Sequence, residues 1–207
     1  MSELAQAKSA TDGRLIKGAR ARQRIARHTV DVASAEGLNG ISFGRIAADL
    51  RLSKSSVQTL FRTKEALQLA AVEEAGQAFA LAVVGPAQAA AEGAARMRAL
   101  VDNWITYAQT PLFAGGCFWS ANLPEFDSRP GAIRDALVRG HDGWLGLLAD
   151  ELRHAHTAGE IAELDCELAA FQIDAVLRAA NTALRLGRRD SVDSVRRVVD
   201  SFLPAPR

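Results

Sequence analysis

The sequence has 207 residues, of which 48% are hydrophobic and 24% charged, proportions typical of a folded globular protein rather than a disordered chain. No run of about 18 apolar residues is free of charge, and residues 1–18 lack the apolar core of a signal peptide, so we expect no membrane segment and a cytoplasmic location. Cys117 and Cys166 are too few and too far apart for a disulfide framework or a zinc site.

The small net charge of +1 hides an asymmetry along the chain. Residues 1–64 contain 12 Lys/Arg and 5 Asp/Glu, whereas residues 65–207 contain 13 Arg and 19 Asp/Glu. A basic first segment followed by an acidic remainder predicts that only the first segment meets a polyanion. The alternative is chance clustering of charges on a solvated face, which charge alone does not exclude.

Forty alanines and the lack of alternating strand patterns predict an all-α fold. We predict a flexible basic arm over residues 1–18. About nine helices follow, over Ala19–Glu36, 43–50, 54–60, 64–84, 88–109, 117–124, 130–158, 165–186 and 190–203. N-caps are predicted at Ser42, Ser53, Thr63 and Asp165. Helix stops are predicted at Gly37, Gly85-Pro86, Pro124, Gly187 and Pro204.

The change of charge near residue 64 divides the predicted helices into two domains. Residues 19–64 form a three-helix domain, and residues 65–207 form a helical bundle. In the first domain, two short capped helices with a tight connection around residues 50–52 make a helix-turn-helix. Its small core is predicted to contain Ile46, Ala47, Leu50, Leu52, Val57 and Phe61.

A helix-turn-helix has a clear physical use, because an α-helix fits the major groove of DNA. The side chains that point outward are candidates for that contact: Arg45, Lys54, Ser55, Ser56, Gln58 and Thr59. Short hydroxyl groups can bond phosphate, and Gln58 can reach a base edge. For Arg45 and Lys54 a solvated face is the alternative, and for Ser42 and Ser53 N-capping is part of the role in any case.

The same segment resembles a known family. The resemblance covers residues 20–70 and is carried by Arg24-Ile25, Gly37-Leu38, Ile41-Ser42, Ile46-Ala47, Leu52-Ser53-Lys54, Phe61 and Thr63-Lys64-Glu65-Ala66-Leu67. These residues are similar to the N-terminal domain of TetR-type (tetracycline-repressor-like) transcriptional regulators. The resemblance implies a homodimer that binds operator DNA and releases it when a small molecule enters the C-terminal domain. It also implies phosphate contacts by Lys64, Ser42 and Ser56.

Six positions depart from the family pattern. Arg51 lies in the turn where glycine is usual, and would be strained if that position needs a positive φ. Ser55-Ser56-Val57-Gln58 replaces a Gly-Thr-aliphatic-Tyr run, so Gln58 stands where a tyrosine usually contacts phosphate. Gly44 replaces a common arginine next to Arg45, and His28 lies where small apolar residues are usual.

Helix-turn-helix modules usually bind DNA as two-fold dimers, and the last two helices are the candidates for the interface. Their apolar or small-residue faces are formed by Leu168, Phe171, Ala175, Ala179, Ala183, Val192, Val195, Val199 and Phe202. Two such helices from each chain would form a four-helix bundle around the two-fold axis. The alternative is that these stripes pack only within one chain.

The middle helices combine aromatic and polar residues, as the lining of a small-molecule cavity does. The candidates for effector binding are Trp104, Tyr107, Phe113, Cys117, Phe118, Trp119, Asn122, His141 and Trp144. An ordinary aromatic core is the alternative, with His141 a hydrogen-bonded core histidine and Cys117 either a thiol sensor or a buried apolar residue.

No metal or cofactor site is indicated. His154 and His156 are two residues apart and point to different helix faces, and no catalytic or phosphate-binding motif is present. We therefore predict a ligand-responsive, non-enzymatic DNA-binding regulator of the repressor type. A helical binding protein or enzyme with an incidental helix-turn-helix would have only His141, Tyr107 and Cys117 as candidate catalytic groups. A third possibility is an architectural DNA-binding dimer without a cavity.

Overall fold

The computed structural model describes residues 2–203, with side chains from residue 16 onward. This part of the chain contains nine α-helices and no strand, which confirms the predicted fold class. The helices are α1 Ser2–Glu36, α2 Phe43–Leu50, α3 Lys54–Phe61, α4 Lys64–Ala87, α5 Ala94–Gln109, α6 Phe118–Phe126, α7 Ala132–Thr157, α8 Cys166–Arg185 and α9 Ser191–Phe202. The 3-10 turn Leu38–Gly40 connects α1 to α2. Pro204, the predicted stop after α9, lies outside the described residues.

The four predicted N-caps are confirmed. Each side-chain oxygen accepts a hydrogen bond from the backbone N–H three residues later, which satisfies a donor that the first helical turn leaves free. The cap residues are Ser42 before α2, Ser53 before α3, Thr63 before α4 and Asp165 before α8. Local hydrogen-bonding chemistry therefore fixes where these helices begin.

The starts of α1 and α5 were predicted wrongly. The helix α1 begins at Ser2 rather than Ala19, so the backbone of residues 2–18 is helical where an arm was predicted. That segment is rich in residues of high helix propensity. The helix α5 begins at Ala94 rather than near residue 88 because distant carboxylates bind its N-terminus. Glu151 accepts a hydrogen bond from Gly93 N–H at 2.8 Å, and Glu160 accepts one from Ala94 N–H at 2.8 Å.

Two prolines do not end their helices where predicted. In α4 the chain passes through a π-helical turn, Ala80–Val84, in which Gly85 N–H donates to the carbonyl of Ala80, and the helix continues through Pro86 to Ala87. In α6 Pro124 lies inside the helix, which ends at Phe126. Phe126 is buried, and this tertiary packing outweighs the helix-breaking tendency of proline.

The helix α4 connects the two predicted domains. It packs against α1 on one side and α7 on the other, and it buries Leu67, Ala71 and Ala75 in the core. Within the described chain α4 is the one helix long and apolar enough to cross a membrane by length and composition. A helix at the centre of a globular core commonly has the same composition.

The loop before α6 lies directly on α1. Gly115 is so close to α1 that a Cβ atom at this position would overlap the backbone carbonyl of Ser34. Ala114 N–H donates to Asp31 Oδ1 at 2.7 Å, and Gly115 N–H donates to Ser34 Oγ at 2.8 Å. The second domain is therefore hydrogen-bonded to the last turns of α1.

Candidate functional site

The helices α2 and α3 form the predicted helix-turn-helix. Its core contains Ile46, Ala47, Val57 and Phe61, each buried as the sequence pattern predicted. Leu50 is half-buried, but Leu52 is 37% exposed, so its predicted place in the core is wrong. Leu52 lies in the turn, where its backbone N–H, not its side chain, is held by the carbonyl of Ala47 at 2.8 Å.

Arg51 adopts a left-handed backbone conformation in the turn, with φ 56° and ψ 42°. This conformation favours glycine, and an arginine there costs about 1 kcal/mol. Arg51 N–H donates to the carbonyl of Ala48 at 3.1 Å, so the turn keeps its hydrogen bonds. The turn therefore combines complete backbone hydrogen bonds with backbone strain at Arg51.

The outer face of α3 presents the predicted DNA-binding residues to solvent. Lys54, Ser55, Ser56, Gln58 and Thr59 are all exposed. Ser55 Oγ and Ser56 Oγ lie 3.0 and 2.6 Å from the Oγ of the cap residue Ser53, and Thr59 Oγ1 donates to the carbonyl of Ser55 at 2.8 Å. Within residues 16–203 the side chains of Lys54 and Gln58 have no hydrogen bond or ion pair, so both are available to a ligand.

Arg45 is exposed on α2 but is held by two carboxylates. Its guanidinium contacts Asp49 at 2.9 Å and Glu36 at 3.0 Å, and Asp49 also contacts His28 Nε2 at 3.1 Å. The hydrogen bond with His28, followed by the one with Arg45, lowers the pKa of Asp49. The two carboxylates raise the pKa of Arg45. Arg45 must leave these partners before it can contact phosphate.

Lys64 and Ser42 lie at the starts of α4 and α2 and also have partners in the chain. Lys64 Nζ donates to the carbonyl of Asn39 at 2.6 Å, and Ser42 Oγ accepts from Arg45 N–H at 3.2 Å. Both side chains are exposed. A backbone carbonyl is a weaker partner for an ammonium group than a phosphate is. A phosphate can therefore replace the Asn39 carbonyl as the partner of Lys64.

A cavity of about 210 Å³ lies between α4, α5, α6, α7 and α8, smaller than the lower end of typical ligand pockets, about 300 Å³. Five of the nine predicted effector-binding residues line it: Trp104, Cys117, Trp119, His141 and Trp144. All three tryptophans of the chain are among them. The walls are otherwise formed by Gly76, Phe79, Gly140, Asp174 and Arg178, which no sequence pattern indicated.

The aromatic walls of the cavity centre on Phe79 of α4. Its ring packs edge to face on Trp144 at 5.3 Å between centroids and contacts the Trp119 ring at 5.8 Å. The Trp119 indole N–H donates to the carbonyl of Leu137 at 3.3 Å. Phe79 was missed because an aromatic residue on a long apolar helix has no feature of its own in the sequence.

One end of the cavity is polar. Asp174, only 3% exposed, lies 2.9 Å from His141 Nε2 and 2.8 Å from Arg178 Nε, with the same carboxylate oxygen Oδ2 facing both groups. His141 therefore has the hydrogen-bonding partner that a core histidine requires, and it lines the cavity as well. An Asp on the apolar face of α8, four residues before an Arg, is the sequence feature that could have identified this pair.

The other four predicted effector-binding residues do not line this cavity. Tyr107 is buried behind it, where its hydroxyl accepts a hydrogen bond from Phe118 N–H at 3.3 Å and burial raises its pKa. Phe118 and Phe113 are buried core residues, and the guanidinium of Arg27 lies over the Phe113 ring. Asn122 contacts α1 and the following turn instead.

Cys117 is 5% exposed and lies directly before α6, and its backbone N–H donates to Asn181 Oδ1 at 3.0 Å. Among the described residues no hydrogen bond joins Cys117 to His141. In the same part of the chain, no group of three His, Cys, Asp or Glu side chains could hold a metal ion.

The predicted dimer residues fall into two groups. On α8, Leu168 and Phe171 are 52% and 56% exposed, and Ala175, Ala179 and Ala183 continue the partly exposed face. On α9, Val192, Val195 and Val199 are at most 3% exposed, because they pack into the core of their own chain. These three valines are thus unavailable to a partner, whereas Phe202 is half-buried.

An exposed helix-turn-helix joined to a helical bundle that contains an apolar cavity is the arrangement typical of one-component transcriptional regulators. The family model described as "Tetracyclin repressor-like, C-terminal domain" matches residues 93–199, more than half of the chain. This chain therefore belongs to the tetracycline-repressor-like family of transcriptional regulators. Among curated proteins none matches the sequence.

Solved structures share the whole fold. A TetR transcriptional regulator from Chloroflexus aurantiacus superimposes with a TM-score of 0.79 at 24% identity, over 89% of this chain and 94% of that one. A TetR transcriptional regulator from Legionella pneumophila has a TM-score of 0.74 at 18% identity, over 87% and 95%. AibR, in complex with isovaleryl coenzyme A and operator DNA, has a TM-score of 0.73 at 20% identity, over 88% and 98%.

Proposed function

We propose that this protein is a cytoplasmic homodimeric repressor that binds a palindromic operator and releases it when a small, largely apolar effector enters the aromatic cavity. The observation that carries the proposal is that one helix, α4, serves both sites. It begins at Lys64 beside the helix-turn-helix, and it lines the cavity with Gly76 and Phe79.

In the proposed complex α3 lies in the major groove. Gln58 and Thr59 face base edges, and Lys54 and Ser55 contact the groove and its phosphates. Ser42, Ser56 and Lys64 contact the phosphate backbone, as the family resemblance implies, and Lys64 exchanges the Asn39 carbonyl for a phosphate. Arg45 joins them by leaving Glu36 and Asp49.

In the proposed dimer the exposed face of α8 packs against its copy. Leu168 and Phe171 supply apolar area, and the small residues Ala175, Ala179 and Ala183 allow close approach of the two helices. This arrangement would set the two α3 helices about 34 Å apart, one turn of DNA.

Effector binding is proposed to act through α4. A ligand in the cavity contacts Phe79 and shifts α4. Because α4 begins beside the helix-turn-helix, this shift changes the separation of the two helix-turn-helix units in the dimer. Operator affinity then falls by the ratio of the effector affinities for the two states. AibR, with the same fold, is described with both isovaleryl coenzyme A and operator DNA, which supports the presence of both sites in one chain.

Selection of bound duplexes from a random pool, followed by mobility-shift titration of the selected sequence, tests the DNA claim. We expect Gln58→Ala to reduce the preference for particular bases, and Lys64→Ala to weaken binding to all sequences. Each lost phosphate contact should reduce the slope of log K against log salt by about 0.9. Arg197→Ala, an exposed cation on α9, is the matched control and should change neither. Absence of sequence-selective binding at every salt concentration overturns the proposal.

A further inference from the structure

A second cavity adjoins the aromatic one. It has a volume of about 340 Å³, and its apolar wall is formed mainly by α6 and α7, with Phe126, Leu137 and Val138 among its residues. His141 and Arg178 line both cavities, so these two side chains stand at the boundary between them. The second cavity also contains Arg134, and its lining is more polar than that of the aromatic cavity.

Arg178 has hydrogen-bonding capacity that the chain does not use. Its Nε lies 2.8 Å from Asp174 Oδ2, but the N–H is not aligned for a hydrogen bond, and no other acceptor reaches it within the described residues. The two terminal nitrogens of the guanidinium have no partner in the same part of the chain. Arg134 is similar, since only its Nε is engaged, with the backbone carbonyl of Asp127 at 3.1 Å. Two guanidinium groups thus face one cavity with free donors.

The charge of Asp174 is already matched. Its carboxylate is buried between Arg178 and His141, at 2.8 and 2.9 Å, so a cationic ligand would compete with two existing partners. An anionic group would displace no hydrogen-bond partner from the terminal nitrogens of Arg178. The carboxylates near it are Asp174, which is already paired, and Asp127, which lines the second cavity together with Arg134. The planar guanidinium can bind a carboxylate through two parallel hydrogen bonds.

We infer that the effector is an amphipathic organic anion. Its apolar body occupies the aromatic cavity between Phe79 and the three tryptophans, and its carboxylate lies at the boundary on Arg178, with Arg134 on the far side of the second cavity. This inference rests on the proposed function, and it names the chemical class of the ligand at that site. The two cavities together offer the apolar volume and the cations that such a molecule needs.

Tryptophan fluorescence gives a direct measurement, because all three tryptophans line the aromatic cavity. The probes are octanoate, 1-octanol and octyltrimethylammonium, which share one apolar chain and differ in charge. We expect octanoate to change the fluorescence at concentrations about tenfold to a hundredfold lower than 1-octanol, the range of a charged hydrogen-bonded contact. Equal affinity for octanoate and 1-octanol overturns the inference, as does preference for the cation or the absence of any response.

Variants locate the anion. Arg178→Gln should remove the preference for octanoate over 1-octanol while the affinity for 1-octanol stays within about twofold. Because Asp174 would lose a partner in that variant, Arg134→Gln provides a second test that leaves the buried pair intact, with an expected loss of about threefold to tenfold in octanoate affinity. Arg185→Gln, an exposed cation on the same helix as Arg178, is the matched control. Retention of the full preference in both test variants overturns the inference.

The titration contains no DNA, so its outcome is separate from that of the operator experiment. If octanoate binds as described but no duplex is selected, the anion site stands and the repressor proposal fails. If a duplex is selected but the three probes show no preference for the anion, the repressor proposal stands and the inferred ligand class is wrong.

Discussion

The side-chain amide of Asn122 in α6 accepts a hydrogen bond from the backbone N–H of Leu38, at 2.7 Å, in the turn between α1 and α2. The same side chain donates to the carbonyls of Ala33 at 3.3 Å and Phe118 at 2.8 Å. Asn122 is completely buried. One turn earlier in α6, Trp119 lines the aromatic cavity, so α6 connects that cavity to the base of the helix-turn-helix.

Asn122→Ala should destabilise the protein by about 2–3 kcal/mol, because it leaves the buried N–H of Leu38 without an acceptor. The free energy of unfolding in urea measures this. The matched control is Asn103→Ala, where a half-buried amide donates a single hydrogen bond, to the carbonyl of Val83, and about 1 kcal/mol is expected. Equal losses in the two variants would contradict the buried hydrogen bonds that join Asn122 to Leu38, Ala33 and Phe118.

The parts of this structure that the sequence predicts are those governed by local chemistry. Ser42, Ser53, Thr63 and Asp165 were found because an N-cap bonds to a group three residues away. The ends of α4 and α6 were not found, because tertiary packing and a π-helical turn carry both helices through proline.

Contacts between residues distant in sequence were the least predictable. His141 was among the predicted effector-binding residues, but its partner Asp174 was not, because it lies 33 residues further along the chain. Phe79 was missed as well, because it reaches the cavity from another helix. The valines of α9 show the related difficulty that a periodic apolar face reveals burial without telling which chain covers it. In this structure their own chain covers them.

The ion pairs of Asp49 should make stability depend on pH in acid. The hydrogen bonds with His28 and Arg45 lower the pKa of Asp49 below its ordinary value of 3.8, so the unfolded chain takes up the proton more readily than the folded one. The stabilisation is therefore complete above the unfolded pKa and is lost as the pH falls through the lower folded pKa. We expect Asp49→Asn to lower the melting temperature at pH 6, and the difference from wild type to shrink below pH 4.

Asp142→Asn is the control for this measurement, because Asp142 is exposed on α7 and has no ion pair within the described residues. Its melting temperature should follow that of the wild type at all pH values. Asp49→Asn should also raise the affinity for DNA at low salt, because it removes a negative charge and releases one partner of Arg45. An Asp49→Asn difference that grows as the pH falls would contradict a lowered pKa of Asp49 in the folded state.

Phe171→Glu should dissociate the proposed dimer. The substitution places a charge on the exposed face of α8, and an unpaired charge buried in an interface is strongly unfavourable. Light scattering should show the mass of a single chain, and operator binding should weaken with it. Leu81→Glu is the matched control, because Leu81 is another apolar residue on the surface, 79% exposed. Light scattering of this variant should still show the mass of the dimer.

Val195→Glu distinguishes packing of α9 within its own chain from the proposed dimer interface on α8. Val195 is completely buried within its own chain, so a glutamate there should unfold the protein rather than produce a folded monomer. Circular dichroism at 222 nm distinguishes these results. A folded monomer from Val195→Glu, or a folded dimer from Phe171→Glu, would contradict the assignment of the α8 face as the interface.

Gly115→Ala should destabilise the contact between α1 and the loop before α6 by about 3 kcal/mol, the upper range for overpacking. A methyl group at this position would meet the rigid backbone of Ser34, and separating the two segments would break the hydrogen bonds from Ala114 and Gly115 to α1. Gly143→Ala is the matched control, because a Cβ there meets nothing within 4 Å on the exposed side of α7. It should stabilise the helix by about 0.5–1 kcal/mol. In urea unfolding, the free energy of unfolding should therefore fall for Gly115→Ala and rise for Gly143→Ala. A change of the same sign in both variants would contradict the close approach at Gly115.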